Sequence, residues 1–156
     1  MSGIEKQLKE KGIYITKTQG DSMYPMLRAG ESRVVIIPPV FPLKKYDVPV
    51  YRKDGHYTMH RIVKVKNGRY VICADNRISL EKNIEEKDIV GVLSGFYNRD
   101  EFISCDDPEY LRYAKRICRS YPKRVIQHYF KAVRKKAGLK KYKSEIEGKE
   151  QNVQKN

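Results

Sequence analysis

The sequence of 156 residues has no tryptophan and only three cysteines, Cys73, Cys105 and Cys118, none of them in a CxxC pair. Disulfide frameworks and zinc sites need paired cysteines at short spacings, so we expect neither and predict reduced thiols, with Cys73 buried on a strand. The sequence also has no glycine-rich phosphate loop and no cluster of metal-ligating residues at the usual spacings. We therefore predict no cofactor.

Long apolar runs are missing as well. The longest, over residues 34–37, ends at a Pro-Pro pair and is far shorter than the roughly 20 residues of a membrane-spanning helix. The first ten residues are charged throughout and lack the apolar core of a secretory signal. We expect a cytoplasmic protein, with peripheral binding at the inner membrane surface as an open alternative.

Acidic residues are scarce in the C-terminal third. Residues 1–107 carry 18 Lys and Arg against 15 Asp and Glu, whereas residues 108–156 carry 15 against 4. A basic segment of this kind is either a solvated surface or a binding surface for an anionic membrane or an acidic partner. Nucleic acid is a less expected partner for the same charge.

The first 105 residues predict a mainly β domain. Short apolar or alternating segments are separated by turn residues, and Asn67-Gly68 between two such segments is a strong signal for a hairpin. A short amphipathic helix is predicted over residues 4–11. The predicted strands cover residues 34–37, 47–51, 57–66, 69–74 and 89–96.

A helical pattern begins at Asp106-Asp107-Pro108, where acidic residues precede a proline at the first helical position. Apolar residues then recur at helical spacing, and a second apolar stripe follows Pro122. We predict a basic α-helical extension over residues 106–138 and a disordered tail over residues 139–156.

Ser22 and His60 are the leading candidates for chemistry. Ser22 lies in the turn-forming segment of residues 20–25, and a serine there becomes a nucleophile only with a base within about 2.6–3.2 Å. His60 has the side chain whose pKa lies nearest neutral pH. His56 competes for this role, but Gly55 favours a hairpin turn there. His128 lies in the basic helical segment and receives no role.

Four segments occur in the order found in a known class of enzymes. Residues 20–31, 46–51, 60–63 and 74–76 resemble the motifs of the signal-peptidase and LexA-type serine peptidases, over about residues 16–95. A histidine as base is typical of the endoplasmic-reticulum and archaeal-like branch. The resemblance implies a signal-peptidase/LexA-like β-fold. The lack of a long apolar run sets the chain apart from ordinary signal peptidases, and we expect a member without a membrane anchor.

The resemblance also implies roles for single residues. Ser22 matches the acyl-forming nucleophile, His60 the general base, and Asp75 the acid of a box that usually reads Gly-Asp-Asn. Here Ala74 replaces the glycine, and the aspartate pair that often follows is missing. Whether Asp75 or the nearby Glu81 orients His60 therefore stays open.

The residues around Ser22 are expected to contact the substrate: Gly20, Asp21, Met23, Tyr24 and Pro25. Gly20 stands where some bacterial relatives carry a serine that binds the oxyanion, so the oxyanion would depend on backbone donors such as the Ser22 N–H. Asp21 is expected to stabilise the turn. Arg61 is expected on the strand face opposite His60, in a structural or surface role.

The sequence thus predicts a serine endopeptidase that cleaves a peptide or protein precursor. Two alternatives remain: a catalytically weak or inactive peptide-binding module, and a basic adaptor for a membrane surface or nucleic acid.

Overall fold

The structure is a computed structural model that describes residues 3–136. It is mainly β, which confirms the predicted fold class, and helices follow the strands at the C-terminal end. The helices of the first part of the chain are α1 (Gly3–Lys11) and α2 (Pro108–Arg119), with a short 3-10 helix at Glu86–Asp88. The strands are β1 (Tyr14–Lys17), β2 (Arg33–Ile37), β3 (Pro49–Lys53), β4 (His56–Met59), β5 (Arg61–Lys66), β6 (Arg69–Cys73), β7 (Leu80–Ile84), β8 (Ile89–Asn98) and β9 (Glu101–Ser104).

The larger sheet has the strand order β1-β2-β8-β3-β4, and β9 also pairs with β8. All its pairings are antiparallel. The long strand β8 holds the sheet together, and its side chains alternate between buried and half-buried positions along Ile89–Leu93. β1 and β4 stand at the two ends of this order, so each has an open edge, and β9 is a further end strand because β8 is its one partner among residues 3–136.

The smaller sheet has the order β5-β6-β7. Asn67 and Gly68 connect β5 to β6 with positive φ angles of 51° and 71°, the backbone that a two-residue type I′ turn requires. The predicted hairpin is confirmed. On the other side of β6, β7 pairs so that Glu81 lies opposite Ile72.

The predicted single strand over residues 57–66 is wrong in one respect, because it is broken at His60. Met59 pairs with Val50 in the larger sheet, whereas Arg61 pairs with Cys73 in the smaller one. Two strands that belong to different sheets cannot continue one regular pleat through the residue between them. His60 therefore lies at the junction of the two sheets.

Helices α1 and α2 pack on the same apolar core as the larger sheet. Each helix buries two residues four positions apart, which lie on one helix face: Ile4 and Leu8 in α1, Tyr110 and Ala114 in α2. As predicted, α2 begins after Asp107 with Pro108 in its first turn. A second core cluster around Tyr51, Ile62, Tyr70 and Ile72 joins β3 to the smaller sheet.

The chain divides into two compact units after Ser120. The first unit includes α2, whereas the predicted basic extension over residues 106–138 would have placed α2 with the later helix. In the second unit, residues 121–136 form a helix, α3. The predicted tail over residues 139–156 lies outside the described residues. No helix within residues 3–136 is long and apolar enough to cross a membrane.

Candidate active site

Ser22 lies in a tight turn between β1 and β2. The Tyr24 N–H donates to the Asp21 carbonyl at 2.9 Å, and the Leu27 N–H donates to the Met23 carbonyl at 3.0 Å. Met23 and Leu27 are buried and anchor the turn in the core, which leaves Ser22 half-buried. The turn is entered through Gly20, whose φ of +79° is a conformation that side chains with a Cβ rarely adopt.

The loop after β6 holds this turn in place. The Asn76 N–H donates to the Ser22 carbonyl at 3.2 Å, and Asn76 Nδ2 donates to the Asp21 carbonyl at 2.6 Å. Arg77 forms an ion pair with Asp21 at 2.6 Å. Two of the four segments that carry the resemblance, the serine turn and the segment around Asn76, are thus in direct contact.

His60 is held by a carboxylate and a hydroxyl. Its Nδ1 lies 2.9 Å from Glu81 Oε1 and 3.0 Å from the Tyr51 hydroxyl, which itself donates to Glu81 Oε1 at 2.8 Å. Lys53 Nζ lies 2.7 Å from the other oxygen of Glu81. A carboxylate facing Nδ1 favours the tautomer with the proton on Nδ1, because that proton is donated to Glu81. The lone pair is then on Nε2.

The electrostatics of this group suit a neutral imidazole beside an ionised acid. Burial lowers the pKa of His60, and the bond and charge of Glu81 offset only part of that effect. Burial works to raise the pKa of Glu81, but bonds from Lys53, Tyr51 and His60 outweigh it and the pKa is lowered. Burial and the Glu81 charge raise the pKa of Tyr51, so its hydroxyl remains a donor.

Asp75, the acid that the resemblance matched to the third catalytic position, forms no hydrogen bond with His60 and lies in a separate buried network. Its carboxylate binds Arg61 through Nε at 2.8 Å and Nη2 at 2.7 Å, and both side chains are buried. The Tyr113 hydroxyl donates to Asp75 at 3.0 Å, and Arg61 Nη1 donates to the Tyr110 hydroxyl at 2.9 Å. The structure therefore places Glu81, the alternative acid, against His60, and Asp75 joins α2 to the loop after β6.

Sequence reasoning missed Tyr51 and Lys53 as neighbours of the site. Both lie on β3, two positions apart, so their side chains project from the same face of the strand. The sequence predicts a strand over residues 47–51. The alternation of side chains along that strand was the available hint that Tyr51 and Lys53 share a face.

An apolar cleft of about 530 Å³ opens beside Ser22. Its walls include two end strands of the larger sheet, β1 with Tyr14 and Thr16, and β4 with Thr58 and Met59. Buried aliphatic side chains form its floor: Leu27, Val34, Ile36 and Val50.

The five predicted substrate residues divide around this cleft. Gly20 and Met23 line it, whereas Asp21 and Tyr24 are exposed outside its lining. Pro25 lines a second cavity, of about 580 Å³.

The cleft is lined by Ser22 but not by His60 itself. Met59, the residue directly before His60, also lines it. Within the part of the chain that the structure describes, no hydrogen bond joins the Ser22 hydroxyl to His60. His56, which was expected within the hairpin turn, is instead the first residue of β4, directly after the turn at Asp54 and Gly55, and it is exposed.

No protein-family model and no curated protein sequence matches this chain. What defines the site is its own geometry: a serine turn and a His-Glu-Tyr group at the junction of two sheets, with an apolar cleft between open strand edges.

Proposed function

We propose that the protein is a serine endopeptidase in which Ser22 is the nucleophile, His60 the general base and Glu81 the acid that orients His60. The observation that carries the proposal is the bond from His60 Nδ1 to the ionised Glu81, which leaves the Nε2 lone pair available as a base. The resemblance to signal-peptidase-like enzymes agrees with this reading through the segments around Ser22 and His60.

In the proposed reaction, Ser22 Oγ attacks the peptide carbonyl while His60 Nε2 takes the hydroxyl proton. The imidazolium returns that proton to the leaving amine, and water then hydrolyses the acyl-enzyme by the same route. Glu81 stabilises the imidazolium in each step. Because Gly20 supplies no side-chain donor, the oxyanion would be bound by backbone donors such as the Ser22 N–H.

The cleft supports an extended peptide as the substrate. Open strand edges pair readily with an added strand, and β1 and β4 both border the cleft next to Ser22. A peptide lying there would place an apolar side chain on the aliphatic floor formed by residues such as Leu27 and Val34. We propose that the cleaved peptide is bound as a strand with an apolar residue near the cleaved bond.

The test is incubation of the protein with a diverse peptide library and detection of cleavage by mass spectrometry. Ser22→Ala and His60→Ala are expected to abolish cleavage. The matched controls are Ser79→Ala and His56→Ala, since both residues are exposed and outside the proposed machinery. Cleavage that survives loss of Ser22, or that disappears equally in the controls, would refute the assignment.

A peptide-binding module without turnover is the second candidate. The observation that favours it is the missing hydrogen bond between Ser22 and His60 among residues 3–136. In an endopeptidase this bond would form when the substrate binds, because catalytic hydrogen bonds are often long in enzymes without substrate. Retention of library peptides by the native protein and by Ser22→Ala, with no cleavage by either, would select the binding module.

A further inference from the structure

The helix α3 carries a wide apolar face that is exposed. Its large apolar residues include Tyr129, Phe130 and Ile126, which are 67%, 58% and 55% exposed, and Val125 and Val133 are exposed as well. At about 100° per residue these five side chains share one side of the helix, together with Ala132. The apolar face covers roughly half of the helix circumference, a width that exceeds the narrow seam of a coiled coil.

The opposite side of α3 is basic. Residues 121–136 contain six Lys and Arg and no Asp or Glu, and five of the six lie off the apolar face, whereas Lys136 lies within it at the C-terminal end. Lys123, Lys131, Arg134 and Lys135 lie on the polar face and are exposed. Lys123 and Arg134 border the apolar face, where long side chains can reach the surface of a membrane while the apolar residues are buried.

We propose that α3 binds in the plane of an anionic lipid membrane surface, with its apolar face inserted at the boundary between headgroups and acyl chains. A helix with a broad apolar face and a cationic polar face has the composition of interfacial helices. The proposal does not depend on the peptidase assignment, because it uses none of the residues of that site.

Charge and apolar area together favour lipid over other partners. A second copy of α3 would bring two helices of like charge together, which opposes self-association. Nucleic acid would satisfy the basic residues but would leave Tyr129, Phe130 and Ile126 exposed, because binding to phosphates buries little apolar side chain. An anionic membrane satisfies both faces at once.

The chain offers a clean reporter for insertion, because it has no tryptophan. A single indole introduced by Tyr129→Trp lies in the middle of the apolar face, and Gln127→Trp places one on the polar face as the matched control. With vesicles of phosphatidylcholine and phosphatidylglycerol, the fluorescence of the Tyr129→Trp protein is expected to shift to the blue and become shielded from quenchers in water. The Gln127→Trp protein is expected to change little. Equal changes in both, or none in either, would overturn the proposal.

Co-sedimentation of the full chain with vesicles separates the two contributions. Neutralising Lys131, Arg134 and Lys135 to Gln is expected to weaken binding to anionic vesicles by about 100-fold, since each basic residue near the lipid contributes about fivefold. The control changes the exposed Lys64, Lys66 and Lys82 to Gln, which removes the same charge elsewhere and is expected to leave binding within a few fold.

The apolar side is tested with Ile126→Ser combined with Phe130→Ser, which keeps every charge. We expect at least a tenfold loss of vesicle binding, because two large apolar side chains no longer leave water. Circular dichroism of each variant checks that helix content is kept. Unchanged vesicle binding by this variant would indicate simple attraction to any polyanion.

A second copy of the chain could cover the apolar face instead. In that case sedimentation velocity would show a dimer of the native protein that is lost in the same variant, and the native protein would not bind vesicles. Both results contradict the proposal.

Discussion

Replacing Glu81 by Gln tests whether Glu81, rather than Asp75, is the acid that assists His60. The Gln side chain keeps the shape and an oxygen that can accept from His60 Nδ1, but it removes the negative charge. A hydrogen bond to a charged group contributes about 1.5–3 kcal/mol. If Glu81 contributes that much to the imidazolium in the transition state, the loss corresponds to about a 10- to 150-fold fall in kcat.

The folded structure should tolerate this change. Besides His60, Glu81 accepts a hydrogen bond from the Tyr51 hydroxyl, which the oxygen of Gln can still accept. Its charge also serves an ion pair with Lys53, whose side chain is about half exposed, and such pairs contribute about 1 kcal/mol or less. We therefore expect the thermal unfolding temperature of Glu81→Gln to stay close to that of the native protein. The pKa of His60, followed by NMR of the imidazole nitrogens, should fall further, because the group that favours its charged form has lost its charge.

Asp75→Asn is the matched comparison and should show the opposite pattern. It leaves the buried Arg61 without its charged partner, which typically costs about 3–5 kcal/mol. We expect the unfolding temperature to fall by at least about 10 °C. A native kcat in Glu81→Gln, together with a selective loss of kcat in fully folded Asp75→Asn, would refute the assignment of the acid to Glu81.

Three further predictions follow from the same geometry. The acidic limb of the pH profile of kcat/KM should have its midpoint below 6.5, the ordinary pKa of His60, because burial lowers that pKa; a midpoint above 6.5 would contradict a buried neutral base. Tyr110→Phe should lower the free energy of unfolding by about 1.5–3 kcal/mol in a denaturant titration, because Arg61 loses a hydrogen-bond acceptor; no change would contradict that role. Gly95→Ala should lower the free energy of unfolding by about 1–3 kcal/mol in the same assay, because its Cβ would lie 2.8 Å from the Ile103 carbonyl oxygen. Gly3→Ala is the control and should not lower it, since no atom lies within 4 Å of that Cβ.

Local signals in the sequence predicted much of the fold. Asn67-Gly68 predicted a hairpin because these two residues determine the turn by themselves. Pro108 predicted the start of α2 because the fixed φ of proline suits the first turn of a helix. The strands β1, β7 and β9 were not predicted. In β7 the sequence Leu-Glu-Lys-Asn-Ile has little strand character, and its pairing with β6 is fixed by contacts outside the segment.

The sequence predicted single residues of the candidate site better than it predicted which of them are in contact. Ser22 and His60 stood out by residue type and setting, but the choice between Asp75 and Glu81 depends on where β7 lies beside β6. Arg61 was expected to be structural or on the surface, and the structure buries it completely. That outcome depends on Tyr110, which is 49 positions away along the chain, and no local pattern reports such a distant contact.

The link from α2 to the serine turn has a consequence for biosynthesis. The Ser22 turn is held by Asn76, the neighbouring Asp75 is neutralised by Arg61, and that pair is completed by Tyr110 and Tyr113 of α2. While α2 is still inside the ribosome, a nascent chain lacks the two tyrosine hydroxyls that bind the Arg61–Asp75 pair. The nucleophile turn would then be completed only after α2 has been synthesised and has packed, so a growing or truncated chain that lacks α2 would also lack the activity proposed for the folded protein.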